Sequence, residues 1–83
     1  MVYRLEISEE ALERLRALSG EQRRRIGQRL DVLQHDLQGD VKKLAGQAGK
    51  HRLRVGDHRV LFTLEKDLIM VHQVKDRKDA YRD

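Results

Sequence analysis

The chain has 83 residues, of which 39% are apolar and 39% are charged, so it can form one small domain with a heavily ionised surface. It contains no cysteine, which excludes disulfides, thiolate metal sites and thiol catalysis. No apolar stretch approaches the roughly 20 residues that a membrane span needs, and the N-terminus lacks the apolar segment of a signal peptide. We therefore expect a single domain, residues 1–83, that is soluble and cytoplasmic.

The net charge of +4 is unevenly distributed along the chain. Residues 1–41 carry 7 Lys/Arg and 8 Asp/Glu, whereas residues 42–83 carry 11 and 6. A positive field confined to one half is typical of a protein that binds nucleic acid. A charge run is as often only a solvated surface, so composition leaves both interpretations open.

The first half of the sequence predicts a short strand followed by two helices. Apolar and polar side chains alternate over Tyr3–Ile7, which indicates a half-buried strand. Ser8 suits the N-cap of a helix over residues 9–18, and Ser19 with Gln22 has the capping-box spacing of a second helix. The apolar stripe of the second helix consists of Ile26, Leu30, Leu33 and Leu37. We expect the two helices to form a hairpin with both apolar faces on one sheet.

The second half of the sequence predicts a loop and then three strands. Residues 38–50 contain three glycines among scattered polar residues, which indicates a loop. Apolar residues then recur with a period of two over residues 51–55, 58–65 and 68–74. Gly56-Asp57 suits a type II′ turn, because the first position of that turn favours glycine. The predicted fold is α+β, in the order β-α-α-β-β-β, with a helical hairpin packed on a small antiparallel sheet.

The Gly56-Asp57 turn fixes which residues of the predicted hairpin face each other. It brings Arg54 opposite Arg59 and Leu53 opposite Val60, and opposed residues of an antiparallel pair point to the same side. The expected core face carries Leu53, Val55, Val60, Phe62 and Leu64. The expected outer face carries Arg52, Arg54 and Arg59.

Two arginines directly opposite each other cost about 0.2–1 kcal/mol in an exposed sheet. Either an acidic side chain lies between them, with Glu65 and Asp57 as the local candidates, or the surface binds an anion. Arginine at all three outer positions favours the anion, because the planar guanidinium binds phosphate through two parallel hydrogen bonds. Arg52, Arg54 and Arg59 are therefore candidate contacts to a nucleic acid.

The four histidines have no spacing typical of a metal site, so we predict neither a metal nor a cofactor. His35 comes near the end of the second helix, where a cation suits the helix dipole, and is expected to be structural. By the predicted register His51 and His58 point towards the core, unless a one-residue bulge reverses them. His72, in the last strand beside Met70 and Val74, fits a buried role and a functional role equally well.

Three segments of this sequence resemble the RelE/ParE toxin superfamily. They are residues 43–46 (KLAG), residues 51–62 (HRLRVGDHRVLF) and residues 77–81 (RKDAY), against family patterns of the type KL.G, YRLRVGDYRVIY and HRKDVY. The match extends from Tyr3 to Tyr81. The resemblance implies the RelE-like fold and the inhibitory half of a type II toxin–antitoxin pair.

The resemblance also implies an activity and a site. RelE-like members cleave messenger RNA in the ribosomal A site by attack of a ribose 2′-OH on the adjacent phosphate, whereas ParE-like members poison DNA gyrase. The implied catalytic residues are Arg52, Arg54, Arg59, Arg77 and Tyr81. Further contacts to nucleic acid are expected from the neighbouring lysines, Lys42, Lys43, Lys50, Lys75 and Lys78.

Clustered arginines suit the developing negative charge of a phosphate transition state, but they are poor bases. Tyr81 can act as the base only if neighbouring cations lower its pKa; it can also stack on a nucleobase or merely anchor the tail. Arg77 and Lys78 alternate with acids, so a solvated, self-paired tail is the alternative for them. Asp76 stands where the family pattern often has His, which removes a ready proton acceptor.

The sequence thus predicts a toxin that is a ribosome-dependent RNA endonuclease. The alternatives are a ParE-like gyrase poison and a non-catalytic module that binds nucleic acid through the same basic face. The departures from the RelE pattern, Asp76 in place of His and His58 in place of Tyr, keep both alternatives open. The expected partners are a cognate, acidic and partly disordered antitoxin, the ribosome and mRNA, with no membrane.

Overall fold

The computed structural model describes residues 2–44, 46 and 49–76. Its elements are β1 (Arg4–Ile7), α1 (Glu9–Ala17), α2 (Gly20–Leu33), β2 (Asp40–Lys43), β3 (Lys50–Val55), β4 (His58–Glu65) and β5 (Leu68–Asp76). The five strands form one sheet in the order β1-β5-β4-β3-β2. The predicted α+β class is therefore confirmed. Neither helix in this part of the chain is long and apolar enough to cross a membrane.

The sheet is mixed, whereas the sequence predicted an antiparallel one. β1 runs parallel to β5, with Leu5 opposite Ile69, and the other neighbouring strands are antiparallel. The helices lead the chain away from β1, so β1 stays at one edge of the sheet while the chain returns at the other edge as β2. The direction of β1 follows from this tertiary arrangement and not from its own sequence.

The prediction of a loop over residues 38–50 is wrong for β2. Asp40 pairs with Arg54 and Val41 with Leu53, which extends the sheet by one antiparallel edge strand. β2 has only four residues, and Val41 is its single apolar side chain packed against the core. An alternation this short does not stand out from a polar loop in the sequence.

Serine side chains begin both helices, as predicted. Ser8 Oγ accepts a hydrogen bond from the Ala11 amide at 3.1 Å, and Ser19 Oγ accepts one from the Gln22 amide at 3.2 Å. α2 ends at Leu33, one turn before the predicted stripe ends, and the chain cannot continue the helix through Asp36 and Leu37, whose φ values are +63° and +56°. The Leu37 side chain still packs against the core from outside the helix.

The core lies between the two helices and one face of the sheet. α1 packs against β5 and α2 against β3. The fully buried apolar side chains include Ala11, Ile26 and Leu33 of the helices and Leu53, Val60, Phe62, Ile69 and Val71 of the sheet. Of the predicted hairpin core face, only Leu64 is less than buried, and it too packs against this cluster. The opposite face of the sheet, called the open face below, carries the outward side chains.

Candidate nucleic-acid interface

The β3–β4 hairpin has the predicted register. Arg54 lies opposite Arg59, and Leu53 lies opposite Val60. Gly56 has a φ of +57° while Asp57 has no positive φ, which is the combination that a type II′ turn requires. Since Leu53 and Val60 are buried, Arg54 and Arg59 lie on the open face.

A third cation extends this pair across the next strand. Lys75 of β5 lies opposite Arg59 of β4, so Arg54, Arg59 and Lys75 form one line across three neighbouring strands, called the basic row below. Arg54 is exposed, and the other two are half-buried. Adjacent strands are about 4.8 Å apart, so like charges in such a line repel one another. The row thus places three positive charges side by side on the open face.

The edge strand β2 brings an acid to one end of the basic row. Asp40 lies opposite Arg54, and its Oδ1 is 3.9 Å from Nη2 of Arg52. The Arg52 side chain is only 14% exposed, so this arginine is held within the sheet surface beside its carboxylate partner. The sequence offered Glu65 and Asp57 only as alternatives for the Arg54–Arg59 pair, and it offered no acid for Arg52. Asp40 was missed because its strand was interpreted as a loop.

A β-bulge separates the two halves of the β4–β5 pairing. Leu61 pairs with Gln73 and Phe62 pairs with Val71, so His72 is an extra residue on β5. A bulge of this kind disrupts the alternation of side chains and increases the local twist. The signal in the sequence is the pair of polar residues His72-Gln73 between the buried Val71 and Val74.

The bulge decides where Lys75 points. Before it, the buried positions of β5 are odd-numbered, as at Val71; after it, the buried position is Val74. With strict alternation Lys75 would share the face of Val71 and point into the core. The extra residue instead puts Lys75 on the open face opposite Arg59. One inserted residue thus completes the basic row.

A cleft of about 690 Å³ opens beside the basic row. Its lining from the sheet includes Lys50, Leu61, Thr63, His72 and Lys75, and Ser8 and Glu10 at the start of α1 close one side. His72 is exposed, and its Nε2 lies 2.8 Å from Oγ1 of Thr63. The cleft therefore combines two ammonium groups with an imidazole that is held by a hydroxyl.

α1 and its N-cap hold the second half of β5 in place. Ser8 Oγ donates a hydrogen bond to the His72 carbonyl at 2.8 Å. Gln73 Nε2 donates to Glu10 Oε1 at 3.4 Å, and Arg14 Nη2 donates to Asp76 Oδ2 at 3.4 Å. β1 ends at Ile7, so these contacts replace a neighbouring strand along this stretch of β5. They fix the bulge and the backbone that carries Lys75.

The lysines predicted to contact nucleic acid do not share one surface. Lys42 lies opposite Arg52 on the open face, and Lys50 lines the cleft. Lys43 is also exposed, but it lies opposite His51 and so belongs to the side of the sheet that faces the helices. The predicted tail residues Arg77, Lys78 and Tyr81 lie outside the described residues.

Three of the four histidines have structural roles in this fold. The His51 ring stacks on Phe62 with centroids 5.3 Å apart, and His58 is buried, so both face the core as the register predicted. His35 lies beyond the end of α2, with Nδ1 3.0 Å from the Asp31 carbonyl oxygen. His72 is the histidine on the open face. Within the described ranges, no group of three or more His, Asp or Glu side chains is placed to hold a metal ion.

Fold and surface together define a small α+β protein with two helices on one side of a five-stranded sheet and a basic cleft on the other. No protein-family model matches the sequence. Toxin RelE3 of Methanocaldococcus jannaschii is 36% identical over 47 residues, which are 57% of this chain and 53% of that protein. The matched segment thus spans about half the length of this relative.

Solved structures resemble the whole fold. The RelB-RelE antitoxin-toxin complex from Methanococcus jannaschii contains a chain that is 26% identical with a TM-score of 0.77, over 90% of this chain and 93% of that one. The archaeal RelE-RelB complex from Pyrococcus horikoshii OT3 gives 28% identity and a TM-score of 0.79, over 93% and 97%. The chain is therefore similar to RelE toxins in sequence over 47 residues and in fold over most of its length.

Proposed function

We propose that this protein is the toxin of a type II toxin–antitoxin system and that it cleaves messenger RNA on the ribosome. The observation that carries the proposal is the basic row of Arg54, Arg59 and Lys75 beside an open cleft. The similarity to Toxin RelE3 and to RelE chains solved with RelB supports the toxin assignment.

The proposed reaction is attack of a ribose 2′-OH on the adjacent phosphate. Negative charge grows on the phosphate oxygens in the transition state, and cations fixed in advance by the sheet stabilise it without reorganisation. Arg54 and Arg59 lie on neighbouring strands, and their guanidinium groups can donate hydrogen bonds to two oxygens of one phosphate. Arg52 is mostly buried and paired with Asp40, so we assign it to supporting the sheet surface beside the basic row rather than to contacting the substrate. Arg77 and Tyr81 of the tail remain proposed members of this site.

The proposed partners are a cognate antitoxin, the ribosome and mRNA. The solved relatives in complex with RelB support an antitoxin, and the excess of Lys and Arg in residues 42–83 favours an acidic one. An antitoxin that covers the open face would block the cleft directly. Activity on translating ribosomes implies that the protein works in the cytoplasm.

The test is the double substitution Arg54→Ala, Arg59→Ala in ribosomes programmed with a defined mRNA, with cut sites mapped by primer extension. We expect the native protein to cut and the variant to lose at least about 10²-fold in rate, because even one preorganised charge donor is worth about 10²–10³-fold. Arg24→Ala, Arg29→Ala is the matched control, since both side chains are exposed on α2. The control should cut at the native rate.

Three outcomes would contradict the proposal in different ways. Cleavage or growth inhibition that survives the double substitution removes the basic row from the mechanism. Growth inhibition without RNA cleavage, but with gyrase-dependent DNA breaks, indicates a ParE-like poison. Salt-sensitive binding of RNA without cleavage or toxicity indicates a plain nucleic-acid-binding module.

A further inference from the structure

We infer that His72 is the catalytic group that exchanges the proton with the ribose 2′-OH in the proposed RNA cleavage. The inference rests on the proposed function and assigns its proton acceptor. Asp76 stands where the family pattern often has a histidine, so this position supplies no imidazole. His72, the extra residue at the β5 bulge, presents an imidazole on the open face.

The position of His72 is the first argument. Its side chain is exposed and lines the cleft together with Lys50 and Lys75, whose ammonium groups attract a phosphodiester. Lys75 is also a member of the basic row, so a phosphate bound at that end of the row lies beside the cleft that contains the imidazole. Of the chain's four histidines, all of them in the described ranges, this is the one on the open face.

The hydrogen bond between Thr63 and His72 is the second argument. Nε2 of His72 lies 2.8 Å from Thr63 Oγ1, and Thr63 is fixed in β4 opposite Met70. When the hydroxyl oxygen accepts the Nε2 proton, Nδ1 carries the free lone pair and can accept a proton from a substrate. A histidine with one nitrogen held in this way has a fixed ring orientation, which is what a general base requires.

The backbone at His72 is also held firmly. Its carbonyl oxygen accepts the Ser8 Oγ hydrogen bond at 2.8 Å, and the Ser8 amide donates to the Val71 carbonyl at 2.9 Å. Ser8 is at the same time the N-cap of α1. The bulge is therefore tied to a helix terminus, so the imidazole does not depend on a flexible loop for its position.

The chemical step balances without any further reagent. Nδ1 of His72 takes the proton of the 2′-OH while the 2′-oxygen forms a bond to phosphorus. The bond between phosphorus and the 5′-oxygen breaks, and the leaving 5′-oxygen takes a proton from water. The products are a 2′,3′-cyclic phosphate and a 5′-hydroxyl, and the imidazolium returns its proton to solvent. Arg54 and Arg59 stabilise the phosphorane-like charge during this step.

The experiment compares native protein, His72→Gln, Thr63→Val and His35→Gln on mRNA-programmed ribosomes across a pH series. We expect His72→Gln to lower the cleavage rate by about 10²–10⁴-fold and to abolish the fall in rate on the acidic side of neutrality. Thr63→Val should slow cleavage less and retain the acidic limb. His35→Gln, a histidine substitution outside the cleft, should match the native protein.

Chemical rescue keeps the test independent of folding. His72→Ala should regain activity when imidazole is added, because the cleft is large enough to admit it, and all variants should keep the native unfolding midpoint. If the native protein cuts RNA and His72→Gln has the same pH profile as the native protein, this inference is overturned while the proposed function stands. Loss of rate without a change in pH profile and without rescue by imidazole overturns it as well. If the native protein does not cut RNA, the proposed function itself has failed.

Discussion

The two halves of the basic row come from differently built strand pairs. In β3–β4 the alternation is regular, and a two-residue turn fixes Arg54 opposite Arg59. In β4–β5 the alternation is broken at His72, and the break is what puts Lys75 on the open face. The Gly56-Asp57 turn, a signal within the local sequence, therefore determines the register of β3 and β4. The other pair depends on an extra residue that α1 holds in place from outside the sheet.

Phe62 belongs to both regions, so its truncation tests whether they share one core. It pairs with His51 on one side and with Val71 on the other, and it is 1% exposed. Phe62→Ala should lower the free energy of unfolding by about 3–5 kcal/mol, since a buried aromatic leaves a cavity. Leu61→Ala, next to it on the open face, is the control and should cost clearly less. Urea denaturation of both variants measures the difference; equal losses would mean that the open face is packed as tightly as the core.

The two capping serines offer a matched comparison that isolates the bulge. Ser8→Ala and Ser19→Ala each remove an N-cap, worth about 1 kcal/mol. Ser8 also donates to the His72 carbonyl, so its replacement should cost about 1 kcal/mol more, close to 2 in all. Thermal unfolding measures both variants, and only Ser8→Ala should also weaken binding of a short RNA. Equal stability losses and unchanged RNA binding in both would show that the bulge does not depend on α1.

Removal of one charge from the Arg54–Arg59 pair should give the smallest change in stability, and it should stabilise the protein where the other substitutions destabilise it. Arg54→Gln removes one of two like charges that face each other, so the free energy of unfolding should stay level or rise by about 0.2–1 kcal/mol. RNA binding should weaken, and the slope of log affinity against log salt should fall by about 0.7, the value for one phosphate contact on a single strand. Arg24→Gln on α2 should leave the slope unchanged. A loss of stability in Arg54→Gln would mean that this arginine stabilises the sheet.

The sequence alone determined the hairpin and both helix starts, because each depends on residues close together in the chain. Gly56-Asp57 set the register of the arginines, and Ser8 and Ser19 marked the N-caps. Burial of the core-facing hairpin residues followed from a period of two over consecutive positions. The resemblance to RelE-like proteins also used mainly this segment and the tail.

Only the tertiary structure decided the features that join distant parts of the chain. Asp40 lies beside Arg52 because β2 forms on the edge of β3, and four residues with one apolar side chain give too weak a local pattern to predict it. Lys75 points outward because β5 bulges at His72, where Ser8 binds the backbone from 64 residues away in sequence. Side-chain direction in a strand has a period of two, so one extra residue reverses it, and packing against α1 rather than local preference fixes that residue.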